Sequence, residues 1–189
     1  MLKKTSIVLF LALAMALAAC GAKTTNQPAG EAGGTGGEGG VEAVLVTYTD
    51  ASQGFSIGHP GTWTQDATFT NGVKFVGGDG WMTLEIVTPP SGTDAMTYAQ
   101  NDVTVVSPAF PGFTQLSLAA STEVNNAVVL GFTANDTSTV TGKAFTAHNE
   151  RYYIGLSDGR IAVLTVVGPE SNYDQQGVRD IALTLKINR

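Results

Sequence analysis

Apolar and polar positions alternate with period two along most of the chain, the pattern of half-buried β-strands. Residues 43–48 form a short β-prone run, and Asp50-Ala51-Ser52-Gln53-Gly54 reads as a turn. Phe55, Ile57 and His59 then alternate with Ser56, Gly58 and Pro60, which predicts a strand with one buried face and Ser56 outward, stopped by Pro60-Gly61. Trp63 follows directly and is expected to plug the core. Val73 and Phe75 flank Lys74, and Gly77-Gly78-Asp79-Gly80 predicts a hairpin turn. A phosphate loop is excluded there, because the run has no Lys-Ser/Thr and no helix follows. Beyond it Met82, Leu84 and Ile86 point one way while Thr83, Glu85 and Val87 point the other.

The period changes after Pro89-Pro90-Ser91-Gly92. Met96, Ala99, Val103 and Val106 recur at helical spacing, with Thr93 as the expected N-cap, Asp94 in the first turn and Pro108 as the stop. Residues 113–124 predict a strand with Leu116 and Leu118 inward, closed by Asn125-Asn126. Val128, Leu130, Phe132 and Ala134 alternate, 142–149 is a further extended segment, and Tyr152, Ile154 and Leu156 alternate again. Asp158-Gly159 between two β runs is a strong two-residue hairpin signal, so 151–168 is predicted as a hairpin. Asn172 with Gln175 reads as a capping box, and Val178, Ile181, Ala182 and Leu185 predict a C-terminal helix packed on the sheet, with Lys186 and Arg189 suiting its negative pole. Strands in meander order with helices near residue 95 and at the C-terminus define an α/β protein of the α+β kind, a mainly antiparallel sheet flanked by two helices.

The run Tyr48-Thr49-Asp50-Ala51-Ser52-Gln53-Gly54-Phe55-Ser56-Ile57-Gly58-His59-Pro60-Gly61-Thr62-Trp63 resembles the opening of PsbP-like and Mog1-like domains. It has the aromatic, the short turn ending in Gly-Phe, the alternating strand and Pro-Gly-x-Trp. Arg160-Ile161-Ala162-Val163-Leu164-Thr165-Val166-Val167-Gly168-Pro169 is similar to the end of those domains. His59 stands where an aromatic is more usual. The resemblance spans roughly 45–187 and implies a small accessory or binding domain, as in photosystem II extrinsic proteins and bacterial lipoproteins. It implies neither an enzyme nor a metal-ligand set.

The N-terminus adds an address. Lys3 and Lys4 precede an apolar run over 7–19, the layout of a secretory signal peptide and shorter than the ~20 residues of a spanning helix. Leu17-Ala18-Ala19-Cys20 resembles the bacterial lipobox, and Cys20 is the only cysteine. Residues 1–19 therefore read as a signal peptide, 20–42 as a lipidated Cys20 with a flexible linker, and 43–189 as one globular domain. The linker holds eight glycines between positions 21 and 40, with no aromatic or branched aliphatic residue to bury. The expected localisation is extracytoplasmic, anchored to a bacterial membrane through the acylated Cys20.

The net charge is −6, and removing Lys3 and Lys4 with the signal leaves eight basic against 16 acidic residues, a net −8. The absence of a basic cluster argues against nucleic acid and against anionic lipid as direct ligands. His59 and His148 are the only histidines and no zinc spacing occurs. Asp79, Asp94, Asp158 and Asn135-Asp136-Thr137 do not form a calcium loop. No Gly-x-Ser-x-Gly turn occurs and Ser56 has no neighbouring base, so no catalytic residue, metal or cofactor is assigned. Glu150/Arg151 and Asp158/Arg160 read as surface pairs. Among the aromatics, Trp81 and Phe110 lie beside Gly and Pro turns and are the expected exposed ones, a possible partner surface. The leading functional reading is a tethered, non-catalytic binding or accessory module for an unknown protein partner. The alternatives are a hydrolase-type enzyme with an unrecognised site and a small-solute-binding lipoprotein.

Overall fold

The computed structural model describes residues 44–173 and 177–187. The signal, Cys20, the linker and Gln175 of the expected capping box lie outside them. The strands are β1 (Leu45–Asp50), β2 (Phe55–Pro60), β3 (Thr64–Gln65), β4 (Gly72–Gly77), β5 (Gly80–Val87), β6 (Thr114–Ala120), β7 (Ala127–Thr137), β8 (Ala144–Gly155), β9 (Ile161–Pro169) and β10 (Lys186–Ile187), with one α-helix, α1 (Ala95–Ala109), between β5 and β6. Seven strands form an antiparallel sheet in the order β3-β4-β5-β9-β8-β7-β6, and β1-β2-β10 form a smaller antiparallel sheet. The fold is thus mainly antiparallel sheet with a single α-helix among the described residues.

Each face of the large sheet carries its own core. On one face Met82, Leu84, Leu164 and Val166 pack with Phe55 and Ile57 of β2, Trp63, and Val178 and Ile181 near the C-terminus. On the other, Leu130, Phe132, Tyr153 and Val163 pack beneath Ala99 and Val106 of α1. The alternation of β5, β7 and β9 is what sorts the two sets, because successive strand residues face opposite ways. His59 is buried and stacks on Phe75 with ring centroids 3.8 Å apart and planes 13° from parallel, so it fills an aromatic position as an aromatic.

Trp63 is buried as expected and explains the glycines of the β4–β5 hairpin. A Cβ on Gly77 would lie 2.2 Å from the indole Cδ1, and one on Gly80 would lie 2.7 Å from Cζ2. Gly77 pairs with Gly80, leaving Gly78-Asp79 as a two-residue turn, and Gly78 takes the positive φ of 58° that such a turn needs at its first central position. The hairpin of β8 and β9 also forms, but with a three-residue loop: Gly155 lies opposite Ile161, the Leu156 amide donates to the Arg160 carbonyl, and Ser157, Asp158 and Gly159 make the connection with Gly159 alone at positive φ, so the register is one residue off that of a two-residue Asp-Gly turn.

Several sequence expectations give way to tertiary context. The C-terminal segment is not an α-helix: it forms 3-10 turns at Glu170–Asn172 and Arg179–Thr184 and then the strand β10. Val178, Ile181 and Ala182 are buried as the spacing predicted, but pairing of Lys186–Ile187 with Ser56 and Phe55 draws the chain into extended form. That strand and Thr184, whose hydroxyl accepts from the Gly58 amide at 2.7 Å, cover β2, so Ser56 is buried and not outward. Leu116 is also misplaced by simple alternation, because a bulge between Gln115 and Ser117 turns it outward, 55% exposed. The extended segments 142–149 and 152–156 fuse into the single strand β8. In α1 the N-cap is Asp94, accepting from the Thr97 amide at 2.7 Å, and Pro108 sits inside the last turn.

Candidate functional site

Strand register defines the helix-side face of the large sheet row by row. Gly72, Glu85, Val163, Tyr153 and Val128 lie across one row, Lys74, Thr83, Thr165, Arg151 and Leu130 across the next, and Val76, Trp81, Val167, Asn149 and Phe132 across a third. In every row the β7 end is apolar and belongs to the core that α1 covers, whereas the β4–β5 end brings Lys74, Trp81 and Glu85 to partial exposure. The uncovered part of the sheet is the candidate site.

Between these regions stands an ion-paired clamp. Asp102, the only charged side chain of α1, faces the sheet, where Arg151 Nε donates to its Oδ2 at 2.8 Å and the Tyr153 hydroxyl donates to the same oxygen at 2.8 Å. Arg151 Nη1 also donates to Thr165 Oγ1, so two of the three guanidinium nitrogens are engaged. Burial by itself would lower the Arg151 pKa, but the Asp102 carboxylate offsets this and the guanidinium is held above its ordinary value. Burial drives the Tyr153 hydroxyl far above the usual phenol range, and burial with the Asp102 charge raises Tyr98. The Arg151 pairing corrects the sequence reading: alternation along β8 puts Glu150 on the opposite face, where its carboxylate accepts from Tyr152 Oη at 2.5 Å. Asp158 and Arg160 do pair, at 2.7 Å, on the surface.

Glu85 lies in the same charged neighbourhood without a place in the clamp. Its carboxyl is half-buried, no side chain or amide among the described residues hydrogen-bonds it, and burial pushes its pKa up, partly countered by Arg151. Gly72 stands opposite it on β4 and supplies no side chain.

Trp81 sits in this region, at one side of a groove of about 550 Å³ whose lining includes Thr64, Lys74, Val76, Thr139 and Phe145. Thr139 Oγ1 donates to the Gly78 carbonyl at 2.9 Å, tying the β7–β8 connection to the β4–β5 turn and closing one end of the groove. The Lys74 ammonium lies 6.0 Å from the Trp81 ring centroid and 3.3 Å from Asp66. Phe110, the other expected surface aromatic, does not join it. It packs edge-on against Phe132 at 5.1 Å and is half-buried beside the core under α1. The cluster of Glu85, Asp102, Arg151 and Tyr153 escaped the sequence reading. A signal was present: Asp102 is three residues after Ala99 and four before Val106, hence on the buried face of the helix.

Among the described residues, no group of three or more His, Cys, Asp or Glu side chains is placed to hold a metal ion. His59 is spent on Phe75, and His148 lies 3.8 Å from Glu150 on the opposite face from Trp81.

No protein-family model matches the chain, and no curated protein matches it. Solved structures do. The cyanobacterial PsbP protein (CyanoP) of Synechocystis sp. PCC 6803 superposes with a TM-score of 0.54 at 16% identity, over 82% of this chain and 98% of that one. The Saccharomyces cerevisiae Ran-binding protein Mog1p gives 0.54 at 8% identity, over 77% and 96%. The domain is therefore PsbP/Mog1-like in fold, as the Gly-Phe and Pro-Gly-x-Trp segments led one to expect. At these identities the likeness concerns the fold alone.

Proposed function

We propose that this chain is a non-catalytic binding module, held on the extracytoplasmic face of a bacterial membrane through acylated Cys20, which docks a protein partner on the β5 face around Trp81. The observation that carries the reading is that α1 covers only the β7 side of the large sheet and leaves Trp81, Lys74 and Glu85 partly exposed beside a groove. Monomeric proteins seldom leave a large aromatic in a concave, mostly apolar surface without use for it. The same fold serves as a binding domain in Mog1p, described as a Ran-binding protein. Tyr153, whose hydroxyl is displaced furthest from its ordinary range, and Arg151 are consumed in fixing α1 to the sheet, which favours a structural over a catalytic use of them.

The test is affinity enrichment from the organism's own membranes with the wild-type lipoprotein and with Trp81→Ala. A partner retained by the wild type and lost with Trp81→Ala supports the reading. Retention by both, or by neither, sinks it.

A further inference from the structure

We propose that the partner presents a basic segment to the β5 face, with a lysine or arginine side chain seated against Glu85 and its aliphatic stem running toward Trp81. This rests on the reading of the β5 face as the docking surface and names the chemistry of what docks there.

Three features of the face lead to it. First, Glu85 is a half-buried carboxylate for which the chain supplies no hydrogen-bond donor among the described residues, while the cation nearest to it is committed elsewhere: Arg151 is bound to Asp102 and Thr165. A half-buried carboxylate with no donor of its own gains a charge-assisted hydrogen bond when a cation arrives. Second, the approach is open. Gly72 opposite Glu85 has no side chain, and it cannot acquire one, since a Cβ there would lie 2.0 Å from the Leu84 carbonyl oxygen. Third, the sign of the surroundings is right. The groove beside Trp81 includes Asp79 and Asp136, and its one lysine, Lys74, is paired with Asp66. Asp79 Oδ1 is shielded from solvent and has no donor among the described residues.

Spacing makes the inference more specific. Trp81 and Glu85 share one face of β5 four residues apart, roughly 13 Å. An extended segment with cations about six residues apart, roughly 20 Å, would place one at Glu85 and the next at the Asp79 end of the groove. Long basic side chains suit such a surface, because their methylene stems cover apolar area while the charge finds its partner. The acidic net charge, −8 once Lys3 and Lys4 leave with the signal, assists the encounter at a distance.

The experiment titrates the detergent-solubilised lipoprotein with nonalysine and with nonaglutamate, reading binding by calorimetry at low ionic strength. The expected result is saturable binding of nonalysine alone, weakened about tenfold by Glu85→Gln and unchanged by Glu170→Gln at an exposed acidic position remote in sequence. Glu85→Lys, which reverses the charge, should abolish the binding. Equal loss in Glu85→Gln and Glu170→Gln, or no saturable binding of nonalysine, overturns the proposal. If nonalysine fails while the partner is still captured in a Trp81-dependent way, the docking face stands and only its basic occupant falls.

Discussion

Glu85 and Arg151 share one charged neighbourhood with opposite consequences for stability. The Glu85 carboxyl is raised by burial, so the folded chain binds its proton more tightly than the unfolded chain does. Between the ordinary glutamate value and the raised one, the native state holds more protons. Stability therefore falls as pH rises through that window. Glu85→Gln, which cannot ionise, is expected to be more stable than wild type at pH 7 and indistinguishable from it well below the glutamate range, as urea midpoints at the two pH values would show. Arg151→Ala acts the other way. It leaves Asp102 and Tyr153 without their cation in a largely buried setting and is expected to cost about 3 kcal/mol in the same assay. His59 tests whether an imidazole can serve as a plain aromatic: His59→Phe should retain stability within about 1 kcal/mol, while His59→Ala should lose about 3 kcal/mol through the cavity beside Phe75.

At the scale of elements, the sequence discloses strands far better than it discloses ends and exceptions. Alternation locates β2, β4, β5 and β7, because a sheet with two different cores enforces period two, whereas β9, an almost continuous apolar run buried on both faces, is legible only through the Asp158-Gly159 turn that precedes it. Leu116 was misjudged because a one-residue bulge is invisible to alternation. The C-terminal helix was misjudged because Val178, Ile181 and Ala182 fit a 3-10 turn as well as an α-helix, and the decision came from β10 pairing with a strand some 130 residues earlier. The clamp was missed for a similar reason: its three members come from α1 and β8, and only register brings Arg151 rather than Glu150 under the helix. Of the two expected surface aromatics, Trp81 lies by the groove and Phe110 belongs to the helix-side packing, since the turn after α1 folds back over Phe132. The β4–β5 hairpin offers a direct check of the packing around Trp63. Gly77→Ala and Gly80→Ala must displace the indole and should each cost about 1–3 kcal/mol with a red shift in tryptophan emission, whereas Gly61→Ala, whose Cβ would meet only ordinary contacts at 3.5 Å, should be close to neutral.

At the scale of the whole molecule, the proposal joins a membrane placement through Cys20 to a docking surface on the described domain. Confinement raises the effective concentration of any partner in the same membrane, so a shallow face around one tryptophan can suffice. Cys20→Ala is accordingly expected to leave an unprocessed or released protein on membrane fractionation, and an unchanged membrane fraction would contradict the anchor. The docking face itself is tested most directly by placing a photo-crosslinking amino acid at position 81 or at position 183 of the lipoprotein in intact membranes. Leu183 is the comparison because it is 52% exposed and lies on the C-terminal turns, away from the β5 face. The expected result is a single discrete protein adduct from position 81, none from position 183, and loss of the position 81 adduct when Cys20→Ala removes the tether. No adduct from position 81, or the same adducts from both positions, would contradict the account.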